Sequence, residues 1–305
     1  MSKILISGYY GFANAGDEAM LTAIIESLRQ VEENVELTVL SGNPEDTAAK
    51  HQVRSVYRFN PWAVIQAMYA SELILSGGGS LLQDVTSKRS LLYYLSIIGL
   101  GKFFGKKVML FAQGIGPIRA KWARKLTSFV CNKADLITVR DRESASELKE
   151  MGVAAAKITV TADSVLSLKP VTGEGGRTLL QKAGVDLTKP VIGISVRPWA
   201  GDARCFQVLA EAASKLQQRY GAQLILLPLQ YSVDVKACEK LRKALACQKD
   251  VFLLNERYNT EEFLSIIGNC DLLIGMRLHA LVFAAVMQTP ILAISYDPKV
   301  DSFVN

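Results

Sequence analysis

Histidine is almost missing from this 305-residue chain, which has only His51 and His279. Cysteine is sparse: Cys131, Cys205, Cys238, Cys247 and Cys270 are scattered and form no Cys-x-x-Cys pair. That spacing excludes a disulfide framework and a zinc ribbon. Two histidines with no cysteine near either leave little to build a transition-metal site, so no metal is expected. Long apolar runs are also lacking. The longest, residues 91–100, falls well short of the roughly 20 residues that span a bilayer. The first strand-like segment, 3–7, starts at once and is too short for a signal-peptide core. Charged residues make up 21% against 50% hydrophobic, the wrong balance for disorder. These absences together describe a reduced, cytoplasmic globular protein of two domains at about 150 residues each.

The charge balance is 35 Lys+Arg against 29 Asp+Glu, a net +6. A basic protein can meet nucleic acid, a membrane face or an anionic substrate. No recognised nucleic-acid motif accompanies the charge, and nucleic acid is not expected as a partner. The densest basic runs, 102–107 and 119–125, are mixed with aromatic and apolar residues.

Short apolar runs alternate with amphipathic segments. Strands are predicted at 3–7, 36–40, 73–76, 107–112, 136–139 and 158–161, with helices at 18–31, 119–133 and 142–151. Runs this apolar are covered on both faces, which implies parallel sheets with crossover helices. Gly173, Gly175 and Gly176 interrupt the pattern among polar residues, and the expected boundaries are an N-terminal domain at 1–168, a linker at 169–189 and a C-terminal domain at 190–305. In the last of these, strands are predicted at 191–196, 223–227, 251–254, 271–274 and 291–295. Helices are expected near 203–220, 234–246, 260–269 and 279–287. The fold class is α/β, with two Rossmann-like domains facing a cleft where ligands bind. Residues 298–305 read as the first turns of a helix without a stop signal, so a C-terminal segment is expected to be missing.

Three glycine-rich loops follow strands of the first half. The first, residues 8–18, has Asp17 and Glu18 at a helix start, where they cap the helix or also touch a ligand. Tyr10 and Asn14 are the better candidates to face the cleft. The second, 76–84, carries Gly77, Gly78 and Gly79, whose run suggests close approach of backbone to ligand. Its Gln83 and Asp84 suit sugar hydroxyls. The third, 112–117, contains Gln113 and Gly114. In the second half, Arg197 ends a strand and Arg204 lies a few residues on; each faces the crevice or makes a surface salt bridge. Residues 274–280 join a strand to a helix and set Arg277 and His279 at a helix N-terminus, which favours an anion. Arg277 adds a planar fork for carboxylate or phosphate. His279 is a natural general acid or base.

The set of residues 8–18, 76–80, 113–117, 140–144, 162–164 and 276–279, in this order, resembles the polysaccharide pyruvyltransferases, and most closely their cell-surface-anchoring, CsaB-like branch. The resemblance implies a glycosyltransferase-B-like pair of domains and transfer of pyruvate from phosphoenolpyruvate onto two hydroxyls of a sugar, with no resident cofactor. The CsaB-like branch implies N-acetylmannosamine in a secondary cell-wall polymer precursor, for S-layer anchoring. Arg277, Leu278 and His279 carry over as the phosphoenolpyruvate-binding and catalytic set, and Arg197 as a further donor-binding residue, with Arg204 in reserve. The acceptor sugar then lies against Tyr10, Asn14, Asp17, Gly78, Gly79, Gln83, Asp84, Gln113 and Gly114. A lipid-linked acceptor implies peripheral contact with the inner membrane face. The alternative is a nucleotide-sugar glycosyltransferase or epimerase of the same architecture.

Overall fold

A computed structural model describes residues 1–85, 87–199 and 202–304. The chain forms two compact units: Met1–Phe12 with Asp17–Ser167, and Ala13–Gly16 with Leu168–Asn305. Of the C-terminal stretch expected to be helical, Asn305 lies outside the described residues, and the rest forms a helix with Val300 buried.

The first unit runs β1 (Lys3–Tyr10), α1 (Ala15–Val31), β2 (Glu36–Ser41), α2 (Pro44–His51), β3 (Arg54–Tyr57), α3 (Pro61–Ala70), β4 (Leu73–Gly77), α4 (Lys88–Phe103), β5 (Lys107–Gln113), α5 (Lys121–Cys131), β6 (Leu136–Val139), α6 (Arg142–Glu150) and β7 (Ile158–Val160). Its seven parallel strands lie in the order β3-β2-β1-β4-β5-β6-β7. Central β1 pairs with β2 through Ile4↔Leu37 and with β4 through Ile4↔Leu73. Leu5 and Ile6, on opposite faces of β1, are both fully buried, as a two-sided strand requires. Leu21, Ile24 and Ile25 of α1 cover one face. Val64 and Met68 of α3, Leu91 and Leu95 of α4 and Val130 of α5 belong to the core on the other. Side-chain caps start several helices: the Asn43, Asn60, Ser87 and Asp141 side chains each accept an amide from the first turn.

The second unit runs α7 (Glu174–Lys182), β8 (Val191–Ser195), α8 (Asp202–Tyr220), β9 (Gln223–Leu226), α9 (Tyr231–Ala244), β10 (Val251–Leu253), α10 (Thr260–Ile267), β11 (Leu272–Gly275), α11 (Leu278–Val286), β12 (Ile291–Ala293) and α12 (Pro298–Val304). Its five parallel strands lie in the order β10-β9-β8-β11-β12. The stretch expected as a linker, 169–189, is corrected here, because it contains α7. The polar glycine run that suggested a loop is a close helix contact. The Gly176 N–H donates to Ser265 Oγ at 2.7 Å, and a Cβ on Gly176 would lie 2.2 Å from the Ser265 carbonyl oxygen on α10.

Candidate active site

Both sheets reverse strand order once, and each reversal leaves a crevice at the carboxyl ends of two strands. In the first unit it lies between β1 and β4, where the first two glycine loops leave the sheet. In the second it lies between β8 and β11, the strands that precede Arg197 and Arg277.

The first unit builds its loops from the inside. β1 runs three residues further than expected, to Tyr10, and this corrects Tyr10 as a sugar contact: its ring is buried and its hydroxyl donates to the Gly77 carbonyl at 3.2 Å. Burial, with Asp17 nearby, pushes its hydroxyl well above the usual tyrosine range. Glu18 accepts the Gly11 N–H at 2.8 Å, so it braces the first loop. Arg58, which the sequence did not single out, is buried, donates to the Gly8 carbonyl at 2.8 Å and is ringed by Phe12, Phe59, Tyr93 and Tyr94 at 4.3–5.5 Å. Only its place after the half-exposed strand β3 marked it.

Gly78 and Gly79 have φ of +46° and +77°, which side chains rarely adopt. Added Cβ atoms would meet Met20 at about 3 Å, and on Gly79 also Asp17 Oδ1 at 3.2 Å. Asp17 and the second loop are therefore neighbours, with Gln83 half-buried further along it. Asp84 is corrected as a sugar ligand. Its two carboxylate oxygens accept the Arg119 and Ala120 amides at 2.9 and 2.8 Å. Burial opposes the charge of Asp84, but those amides, Lys88 and Arg119 hold its carboxyl below the usual range. Gln113 is corrected as well: it is fully buried, and its amide nitrogen donates to Ser76 O and Oγ at 3.1 and 2.7 Å. Gly114 makes room for a guanidinium, since a Cβ there would lie 2.7 Å from Arg140 Nη2. Arg140 in turn pairs with buried Asp163 at 3.1 Å and with Ser80 Oγ at 3.1 Å, which ties the second and third loops to β6.

In the second unit, Arg277 is the N-cap residue of α11 and His279 stands in its first turn, where amides have no intrahelical acceptor. Arg277 is not a free fork. Its Nε donates to Asp234 Oδ2 at 2.9 Å, while Nη2 donates to Asp234 Oδ1 and, at 3.0 Å, to Gln230 Oε1. Asp234 is fully buried and also accepts the Gln230 N–H at 2.9 Å. These bonds engage Nε and Nη2 of Arg277, and none is formed by Nη1 among the described residues. The Leu278 side chain is buried, and its amide lies at the start of α11.

Segment Ala13–Gly16 belongs to this unit: Asn14 bridges Gln230 and Ala15 N–H donates to Leu229 O at 3.1 Å. Gly16 abuts the catalytic candidate, for a Cβ there would lie 2.1 Å from His279 Nδ1. Asn14, expected against an acceptor sugar, holds its own turn: its Oδ1 accepts the Gly16 N–H at 3.2 Å. The structure thus brings Asn14, Gly16, Gln230, Asp234, Arg277 and His279 together.

Arg197 leaves β8 with Nη1 donating to Tyr296 Oη at 2.8 Å and its guanidinium 5.3 Å from that ring. Burial raises the Tyr296 hydroxyl, against the opposing charges of Arg197 and Arg277. Arg197 Nε and the Ser195 hydroxyl are buried and have no hydrogen-bond partner among the described residues. Arg204 is exposed on the first turn of α8. Among the described residues no group of three or more His, Cys, Asp or Glu could hold a metal ion.

The profile of the polysaccharide pyruvyl transferase family matches residues 14–298. The amylovoran biosynthesis protein AmsJ of Erwinia amylovora is 21% identical, over 97% of this chain and 84% of that protein. Anabaena HepE, solved in complex with UDP and glucose, has a TM-score of 0.65 at 14% identity, covering 96% of this chain and 80% of its own. The UDP-GlcNAc 2-epimerase from Neisseria meningitidis, bound to UDP-GlcNAc, has a TM-score of 0.65 at 10% identity, covering 99% and 85%. These two likenesses show the glycosyltransferase-B-like fold. The family match covers nearly the whole chain, and with it the chain belongs to the polysaccharide pyruvyl transferases, enzymes that transfer pyruvyl groups to polysaccharide.

Proposed function

We propose that the pyruvyl donor is phosphoenolpyruvate and that the acceptor is an N-acetylmannosamine residue of a secondary cell-wall polymer precursor, of the kind that anchors S-layer proteins. The observation that carries the donor is the pair Arg197 and Arg277, each just past the end of one of the two strands that flank the reversal of the second sheet. Phosphoenolpyruvate has a phosphate and a carboxylate, and two oriented guanidiniums match them. Asp234 and Gln230 hold Arg277, and Tyr296 holds Arg197, so both are oriented before the donor arrives.

In the reaction, C3 of the enol gains one proton and becomes a methyl group. C2 forms bonds to two sugar oxygens and loses its bond to the phosphate oxygen. The two hydroxyls supply two protons: one goes to C3, the other leaves with phosphate. His279 is the residue for proton transfer, a role worth about 10²–10⁴-fold. Arg277 and the first amides of α11 stabilise the departing phosphate. The acceptor reading rests on the CsaB-like motifs and on Asp17, Gly78, Gly79 and Gln83 at the loops of the first unit.

The test is phosphate release from phosphoenolpyruvate with and without N-acetylmannosamine-containing acceptors. Acceptor-dependent release, lost in His279→Ala with donor affinity kept, is the expected result. No release with any such acceptor would remove the proposal. HepE and the epimerase were solved with UDP ligands, so stabilisation by UDP-GlcNAc and not by phosphoenolpyruvate would favour the nucleotide-sugar reading.

A further inference from the structure

The outer surface of α3, α4 and α5 carries a pattern that pyruvyl transfer does not use. All three helices pack their inner faces into one core, on the same side of the first sheet. Their outward positions recur at helical spacing and are apolar where charge is the norm for a solvent face. On α3 these are Trp62, 77% exposed, and Tyr69. On α4 they are Leu92, Leu100 and Phe103, the last 81% exposed; on α5 they are Trp122 and Phe129. The stripes adjoin one another: Tyr69 lies 4.6 Å from Phe104, Phe59 lies 6.2 Å from Tyr93, and α4 packs on α5.

Along the chain here the charge has one sign, although Asp135 pairs with Lys102 and Lys107, and Glu147 and Glu150 of α6 pair with Arg124. From Lys88 to Lys133 the sequence holds ten Lys+Arg and no Asp or Glu. The whole chain is only +6, so the rest of it is net acidic and its positive character is concentrated here. Lys88, Arg89, Lys121 and Lys125 are exposed beside the apolar stripes. Lys133 sits 4.2 Å from the Phe129 ring, a cation beside an aromatic at the surface.

We propose that this face docks on an anionic lipid bilayer. Exposed Trp, Phe and Leu beside the exposed cations Lys88, Arg89, Lys121 and Lys125 match a headgroup boundary, where aromatic rings sit at the interface and Lys or Arg meets lipid phosphate. Nucleic acid would match the charge but not the aliphatic Leu92 and Leu100. No helix among the described residues is long and apolar enough to cross a membrane, so the contact is peripheral. The helices α3, α4 and α5 start from the carboxyl edge of the sheet, the edge that bears the glycine loops. Lys88 begins α4 just past Asp84 of the second loop. A lipid-borne substrate held on this face is therefore delivered beside those loops. That last step rests on the proposed function; the docking itself does not.

The test is vesicle flotation without donor or acceptor, so its failure leaves the pyruvyl reading intact, and failed pyruvyl transfer leaves the docking intact. Vesicles of phosphatidylcholine are compared with vesicles containing about one third phosphatidylglycerol. Binding to the anionic vesicles alone, weakened by salt, is expected. The variant Lys88→Ala/Arg89→Ala/Lys121→Ala/Lys125→Ala should bind at least about ten-fold more weakly, since one charge near the surface is worth about five-fold. Trp62→Ser/Phe103→Ser/Trp122→Ser should also lose binding. In a Trp199→Phe background, vesicles should shift the emission of Trp62 and Trp122 to the blue. Unchanged binding by either combined variant overturns the proposal, given an unchanged melting curve. So does preference for an oligonucleotide over the vesicles, or a dimer that falls apart when the three aromatics are replaced.

Discussion

Arg277 and Asp234, 43 residues apart in the chain, share two hydrogen bonds across the second sheet: Nε donates to Oδ2 at 2.9 Å, and Nη2 to Oδ1. The aspartate is fully buried and the arginine's side chain is 14% exposed. An uncompensated buried carboxylate costs more than an arginine that can turn to water. Arg277→Ala should therefore destabilise the fold by about 3 kcal/mol or more, and Asp234→Asn by less. Urea denaturation of the two single variants and the double variant measures this, and the double variant should fall short of the sum by about 1–3 kcal/mol. Additive effects would show that the pair does not act as a unit.

Gly16→Ala places a methyl group 2.1 Å from His279 Nδ1, an atom of a rigid ring and not the end of a flexible chain. The imidazole must rotate or the segment Ala13–Gly16 must lift. Displacement by about 1 Å at a reacting group can cost about 10²-fold, so turnover should drop by that order. Overpacking should cost a further 1–3 kcal/mol of stability, roughly. Steady-state kinetics beside thermal melting separates the two effects.

Tyr296→Phe removes the acceptor of the Arg197 Nη1 bond but keeps the ring beneath the guanidinium. One such bond is worth about 0.5–1.5 kcal/mol. The KM for phosphoenolpyruvate should rise by about three- to ten-fold, with kcat changed less. Equal losses in kcat and kcat/KM would instead place Arg197 on the transition state.

Asp84 has a lowered folded pKa, so its contribution to stability is present above its unfolded value of about 3.9 and is lost as pH falls through the lower folded value. Asp84→Asn should cost about 1 kcal/mol at neutral pH, the group being partly open to solvent. The gap between wild type and variant should stay constant above about pH 5 and shrink progressively below about pH 4. A gap that does not shrink at all as pH falls below about 4 would show that the carboxylate charge plays no part.

The central strands were legible because their residues are apolar on both faces: Leu5 and Ile6 of β1, Ile74 and Leu75 of β4, Val108 and Leu110 of β5. The stretches 44–70 and 88–103 were not, and they hide α2, β3, α3 and α4. Edge strand Arg54–Tyr57 is half-exposed and shows no continuous apolar run. In α3 and α4 the outward positions are apolar too, so the helical period is blurred. The helix start at Arg277 and His279 was legible from a strand, a short turn and an apolar helix. Asp234 was not, for it lies on another helix with Lys236, Glu239 and Lys240 as ordinary neighbours.

Sequence alone determined that the chain is α/β with parallel sheets, that glycine loops end its strands, and which arginine and histidine stand at the start of α11. These follow from local pattern, because burial on two faces and helix starts leave marks within a few residues. Tertiary structure alone decided what each polar group does. Tyr10, Asp84 and Gln113 look like ligands for a sugar but hold loops, since their partners Gly77, Ala120 and Ser76 arrive from other strands and loops. Arg277 looks like a free cation but is half-engaged by Asp234. Polar side chains are assigned by whichever donor or acceptor the fold brings within about 3 Å, and that distance is set by sheet order and not by spacing along the chain.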